Sequence, residues 1–126
     1  MPKYVDGFVF VVPRKKVVEY KKMARIGARV WKKHGALDYK ECIGEDLAPE
    51  MPEGMKHLPF PKLTGAKKDE TVWFSYIVYR SRKHRDEVNA KVMKEMDKAM
   101  ERYKDKPMPF DMQRFAAGGF EVAVEA

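Results

Sequence analysis

The chain has a single cysteine, Cys42, so no disulfide can close within it and nothing in it asks for an oxidising compartment. It has no apolar stretch near the ~20 residues of a membrane-spanning helix. The apolar run at the N-terminus, Phe8 to Val12, is short, follows Asp6 and stops at Pro13, which is not the pattern of a secretory leader. His34, His57 and His84 show no metal-ligand spacing with one another or with Cys42. A phosphate loop, a dinucleotide fingerprint, a nucleophile elbow and an HExxH pair are all missing. These absences set the expectation of a cytoplasmic protein with no metal, no cofactor and no membrane partner.

What is present suits one globular domain spanning 1–126. Folding a chain of this size removes roughly two thirds of its surface from water, enough for a core without staples. The content of 44% hydrophobic and 36% charged residues is an ordinary globular mix. Acid is scarce in one place. Between Arg14 and Lys33 stand nine basic residues and one acid, Glu19, a net charge of +8 in a chain whose total is +7. The remainder is therefore close to neutral, and the concentrated field can attract an anionic partner.

The pattern predicts four strands and two helices. Tyr4 to Val12 is rich in β-branched and aromatic residues and apolar on both faces, so it is a strand that needs cover on both sides. Lys15 to His34 is a helix whose stripe Tyr20, Met23, Ala24, Gly27, Val30, Trp31 and His34 faces inward, with Gly35 as its stop. Ala36 to Ile43 is a second strand, in which Leu37, Tyr39, Glu41 and Ile43 alternate against Asp38, Lys40 and Cys42. Residues 44–69 form a long proline-rich loop, the kind that serves as a lid, arm or binding loop. Glu70 to Tyr79 is the strongest strand, and Ser81 caps a second helix over Lys83 to Lys104. Arg114 to Glu125 is the last strand, with a bulge or close approach at Gly118-Gly119.

The order β-α-β, loop, β-α-β is that of an α+β, ferredoxin-like domain. It places a four-stranded antiparallel sheet under two helices on one face. The other face stays open although the first and third strands are apolar there too. An exposed apolar face of this kind is an interface, and a second copy related by a two-fold axis covers it most economically. A bound apolar ligand is the alternative for that face.

The segments YVDGFVFVVP at 4–13, GALDYKECIGED at 35–46, VWFSYIVYRSRKHRDEVNAKVM at 72–93 and MPFDMQRFAAGGFE at 108–121 resemble the signature blocks of the YbaA-like family of uncharacterised bacterial proteins. The resemblance covers nearly the whole chain. That family is similar to the dimeric α+β barrel superfamily, which implies this fold and a homodimer. Such dimers often hold small organic ligands, so the resemblance also implies a site in the cleft between helices and sheet, with the 44–69 loop as lid.

Several residue groups are candidates for a site. Arg82, Lys83, His84 and Arg85 open the second helix, where the helix dipole disfavours cations. Arg85 shares a face with Val88 and Val92 and points toward the domain edge, so it either binds an anion with the free helix N–H groups or pairs with a carboxylate such as Asp6 or Asp111. Arg85, Asp86 and Asn89, with Asp111 and Arg114 from the last signature block, form the candidate site for a small organic or anionic ligand. Asp6, among apolar neighbours, and His34 are the candidates for moving a proton; Asp6 can equally pair with Arg85 or Arg114. Cys42 can be a nucleophile, but no histidine is placed beside it, and a buried inert thiol is the default. Lys22, Arg25, Arg29 and Lys32 line the outer face of the first helix and are the candidates for RNA or another polyanion. RNA readers add aromatic platforms to such a face, and here Tyr20 and Trp31 lie on the opposite one. A third reading is an interaction module without catalysis.

Overall fold

The two strands that are apolar on both faces become the two central strands. In the computed structural model, which describes residues 1–126, β1 (Tyr4–Pro13) pairs antiparallel with β3 (Glu70–Tyr79) along its whole length. β2 (Asp38–Ile43) pairs with β3 and β4 (Ala116–Glu121) with β1, so the sheet order is β2-β3-β1-β4. All three pairings are antiparallel, the arrangement expected of the split βαβ order.

Register decides which side chains share a face. Asp6 lies opposite Ile77 and Gly119, and Phe8 opposite Ser75 and Ala117. Asp6, Phe8, Phe10 and Val12 therefore share one face with Tyr39, Glu41, Ser75, Ile77 and Tyr79. The helices α1 (Val17–Lys33) and α3 (Arg82–Ala99) cover that face. Ile26 and Val30 of α1 meet Val88 and Val92 of α3 over Ile77 and Tyr79. A second cluster gathers Phe10, Val12, Tyr20 and Trp73, flanked by Phe110 and Phe115. Each of these buried apolar side chains contributes about 1.5–3 kcal/mol.

Local chemistry accounts for the element ends. Ser81 caps α3, its Oγ accepting from the His84 N–H at 3.1 Å. The cation-rich first turn is tolerated because His84 is buried and uncharged in role: its Nδ1 accepts from the Arg80 N–H at 3.0 Å. Burial, followed by the Arg80 charge, holds the His84 pKa below its ordinary value. Gly35 takes φ 111° and ends α1 as expected.

The structure departs from the sequence reading in several places. A 3-10 turn at Arg14–Lys16 precedes α1, which buries Ile26 as well as Tyr20, Gly27 and Val30. α3 ends at Ala99, and a further 3-10 turn at Glu101–Tyr103 leads out of it. β4 starts only at Ala116, because Asp111 accepts from the Gln113 N–H and winds Met112–Arg114 into another 3-10 turn. No bulge interrupts Gly118-Gly119. The pairing runs on in regular register, and the close approach is that of the Tyr4 ring over Gly119.

The 44–69 segment is not wholly irregular and is not a lid over the helix-side cleft. It contains a one-turn helix, α2 (Phe60–Thr64), which lies against β1 and β3. Phe60 and Leu47 share a cavity with Cys42, Val72 and Phe74, which lie on the sheet face turned away from α1 and α3. Val11 and Val72 are almost wholly buried on that face, and this demand for cover is what draws the segment there. Beyond it, Phe74 and Phe120 on the same face are 47% and 62% exposed. No helix is long and apolar enough to cross a membrane.

Candidate functional site

Asp6 on β1 and Arg85 in the first turn of α3 meet across the helix-side face, Nη1 donating to Oδ1 at 2.7 Å. Arg85 Nε donates to Asp86 Oδ1 at 2.8 Å, and the guanidinium lies over the Tyr4 ring, 4.9 Å from its centroid. Burial opposes the charge on Arg85, and the carboxylates of Asp86 and Asp6 outweigh it, so its pKa is raised. The pairing expected of Arg85 is thus made with Asp6. Two carboxylates surround one cation there.

One turn further along α3, Asn89 Oδ1 accepts from Trp31 Nε1 and from the Tyr79 hydroxyl, both at 3.1 Å. Burial first, and then the nearby Asp6 charge, raise the Tyr79 pKa. Asn89 Nδ2 donates to no protein group, and no buried side-chain nitrogen or oxygen lacks a partner, so this amide is open to solvent. Asp6, Arg85 and Asn89 border a crevice of about 430 Å³ whose apolar wall includes Phe8, Trp31, Ile77 and Met93 and whose floor is Ala117 to Gly119 of β4.

Phe8, Trp31 and Ile77 also line an inner chamber of about 150 Å³ between α1 and the sheet. Glu41, Ser75 and Lys40 are among its lining. The carboxylate accepts from the hydroxyls of Tyr20 at 2.8 Å and Tyr39 at 2.7 Å, and from Ser75 Oγ. Burial, then the Glu41 charge, push both tyrosine pKa values up. No lysine, arginine or histidine forms an ion pair with Glu41. Sequence reasoning passed over Glu41 and Ser75. The available signal was Glu41 alternating with Leu37, Tyr39 and Ile43, the apolar side of β2, and Ser75 inside the apolar run of β3.

The candidate ligand set divides in two. Arg114 is held by Glu70 and Asp111, away from Arg85, Asp86 and Asn89. Glu70 stands opposite Pro13 and Asp6 opposite Ile77, so the two clusters sit seven residues apart along β1, roughly 23 Å. His34 is engaged at the end of α1: its Nε2 lies 2.9 Å from Glu95 Oε1, which also accepts from Lys33 Nζ at 2.8 Å. No contact joins it to Asp6. Cys42 is exposed on the open sheet face rather than buried, because its position in β2 puts it opposite Phe74 and not opposite the helices. Lys22, Arg25, Arg29 and Lys32 are exposed along α1, and none pairs with an acid; Lys32 Nζ donates to the Leu37 carbonyl.

Comparison with known proteins places this geometry among relatives. The profile described as "protein of unknown function (DUF1428)" matches residues 3–112. The chain is 40% identical over 123 residues to the uncharacterized protein YbaA of Escherichia coli (strain K12), with 98% of each chain covered. The uncharacterized protein YbaA of Shigella flexneri matches to the same extent. Among solved structures, the de novo designed protein Foldit4 aligns over 94% of this chain and 96% of its own, at 13% identity and a TM-score of 0.44.

Proposed function

The chain belongs to the DUF1428 family of proteins of unknown function, and on that premise we propose that it binds a small organic molecule in the crevice between the two long helices and the sheet. The observation that carries this reading is Asn89. Its carbonyl oxygen is saturated by Trp31 and Tyr79, which fixes the side chain, while its amide makes no hydrogen bond to protein and the residue borders the crevice. Fixed polar groups set in an apolar wall are the usual make-up of a small-molecule site, and about 430 Å³ lies within the usual range.

The same reading includes a homodimer formed through the open sheet face. Phe74 and Phe120 are exposed there, and Asp38 and Lys40 at its margin neutralise each other. An apolar face without net charge can meet its own copy despite the +7 charge of the chain.

Native mass spectrometry tests both parts. The wild type is expected as a dimer carrying, or taking up from a metabolite mixture, a small mass. Ala117→Trp fills the crevice without touching the polar network and should remove that mass while leaving the dimer. Phe74→Lys should give a monomer. A clean wild-type dimer that takes up nothing would defeat the binding reading and favour an interaction module; a wild-type monomer would defeat the dimer.

A further inference from the structure

We propose that the inner chamber receives the quaternary ammonium group of a small organic cation. This deepens the crevice reading and rests on it. Glu41 is a half-buried carboxylate that makes no ion pair, although Lys21 and Arg25 border the α1–β2 groove that it also lines. Carboxylates taken from water are ordinarily matched by a positive charge. Here three neutral hydroxyls, from Tyr20, Tyr39 and Ser75, meet its oxygens and leave its charge unbalanced.

The chamber walls supply the second element. Phe8, Phe10, Tyr20, Trp31, Tyr39 and Phe115 surround the space of about 150 Å³. Aromatic faces attract a cation through the ring quadrupole, most strongly where water is excluded. The hydroxyls already occupy most of the acceptor positions on the Glu41 carboxylate. A primary ammonium would have to displace them to use its own N–H donors. A quaternary ammonium has no N–H and needs no acceptors, so it gains both the Coulomb attraction and the aromatic contact without breaking the network.

At the outer end of the crevice Asp6 and Arg85 neutralise each other, so the uncompensated carboxylate is that of the inner chamber. Lys40 also borders the chamber, but its Nζ is held by Asp38 on the other sheet face. Lys21 and Arg25 rim a neighbouring groove between α1 and β2, bordered by Trp73 rather than Trp31 and sharing Tyr39 and Glu41 with the chamber.

Three probes of one shape separate the charges: choline, its neutral isostere 3,3-dimethylbutan-1-ol, and 3,3-dimethylbutanoate. The readout is the indole N–H resonances of Trp31 and Trp73 in the full-length protein. Choline should shift the Trp31 signal, with an affinity about tenfold above that of the alcohol. Glu41→Gln should bring the two affinities together. If the alcohol or the acid matches or exceeds choline at Trp31, the cation assignment is overturned while the crevice reading stands. If none of the probes shifts Trp31 in the wild type, the assignment also falls, and the Ala117→Trp comparison then decides the crevice reading separately.

Discussion

Replacing Arg114 by alanine should weaken the fold by about 2 kcal/mol at neutral pH, and most of that loss should disappear in acid. Arg114 holds Glu70 through two parallel hydrogen bonds, Nη1 to Oε1 at 2.8 Å and Nη2 to Oε2 at 2.7 Å. Its Nε donates to Asp111 Oδ2 at 2.9 Å and its Nη1 to the Gly65 carbonyl at 3.1 Å. One side chain thus ties the end of the central segment, the start of β3 and the turn before β4. The Arg114 guanidinium, helped by the Lys67 N–H, draws the Glu70 carboxyl down from 4.5 to about 2. Taken in full, that displacement corresponds to ~3 kcal/mol. Arg114 is a quarter exposed, so water screens the pair, and Lys67 keeps part of the effect; about 1.5 kcal/mol remains for Arg114 itself. The lost bond to Gly65 adds about 0.5 kcal/mol that does not depend on pH.

The sign follows from the direction of the shift. A carboxyl whose folded pKa is depressed stabilises the fold above its unfolded value, 4.5, and loses that contribution as pH falls toward 2. Urea unfolding of wild type and Arg114→Ala at pH 7, 4 and 3 measures it. The gap between the two midpoints should narrow by about half by pH 3. A gap that stays constant with pH, or one under ~0.5 kcal/mol at pH 7, would refute the assignment of Glu70 ionisation to Arg114.

Two further outcomes follow from the same structure. His84 is buried with its pKa held below 6.5, so its contribution is complete above that pH and is lost as pH falls below it; His84→Gln should flatten this part of the stability profile, and an unchanged slope would assign it elsewhere. Gly119→Ala would place a Cβ 2.8 Å from Cε2 and Cζ of Tyr4, forcing the ring off Arg85. The melting temperature should drop by about 4 °C, from roughly 1 kcal/mol of overpacking, and Tyr4→Leu in the same chain should restore part of it.

Periodicity made the element order legible. Tyr4 to Val12 and Glu70 to Tyr79 are apolar on both faces, and a strand of that kind has to be central and doubly covered. Ser81, Gly35 and the helical face that Arg85 shares with Val88 and Val92 could likewise be read locally, because a cap or a helical face needs only three or four neighbouring residues; which carboxylate Arg85 meets could not. Asn89 was joined to Arg85 by the family signature block that holds both. The position of the 44–69 segment could not be read this way. Its Met51, Leu58, Phe60 and Leu63 have no period, and only the tertiary structure sets Phe60 beside Val72 on the open sheet face. Arg114 and Arg85 looked like parts of one site because both stand in signature blocks, yet the length of β1 separates them. Glu41 is the clearest case. Tyr20, Tyr39, Glu41 and Ser75 come from one helix and two strands, and no spacing within any one element brings them together. The sequence by itself determined which faces must be buried. Which carboxylate shares a chamber with which hydroxyls was decided only when strand register and helix crossing set those faces against each other.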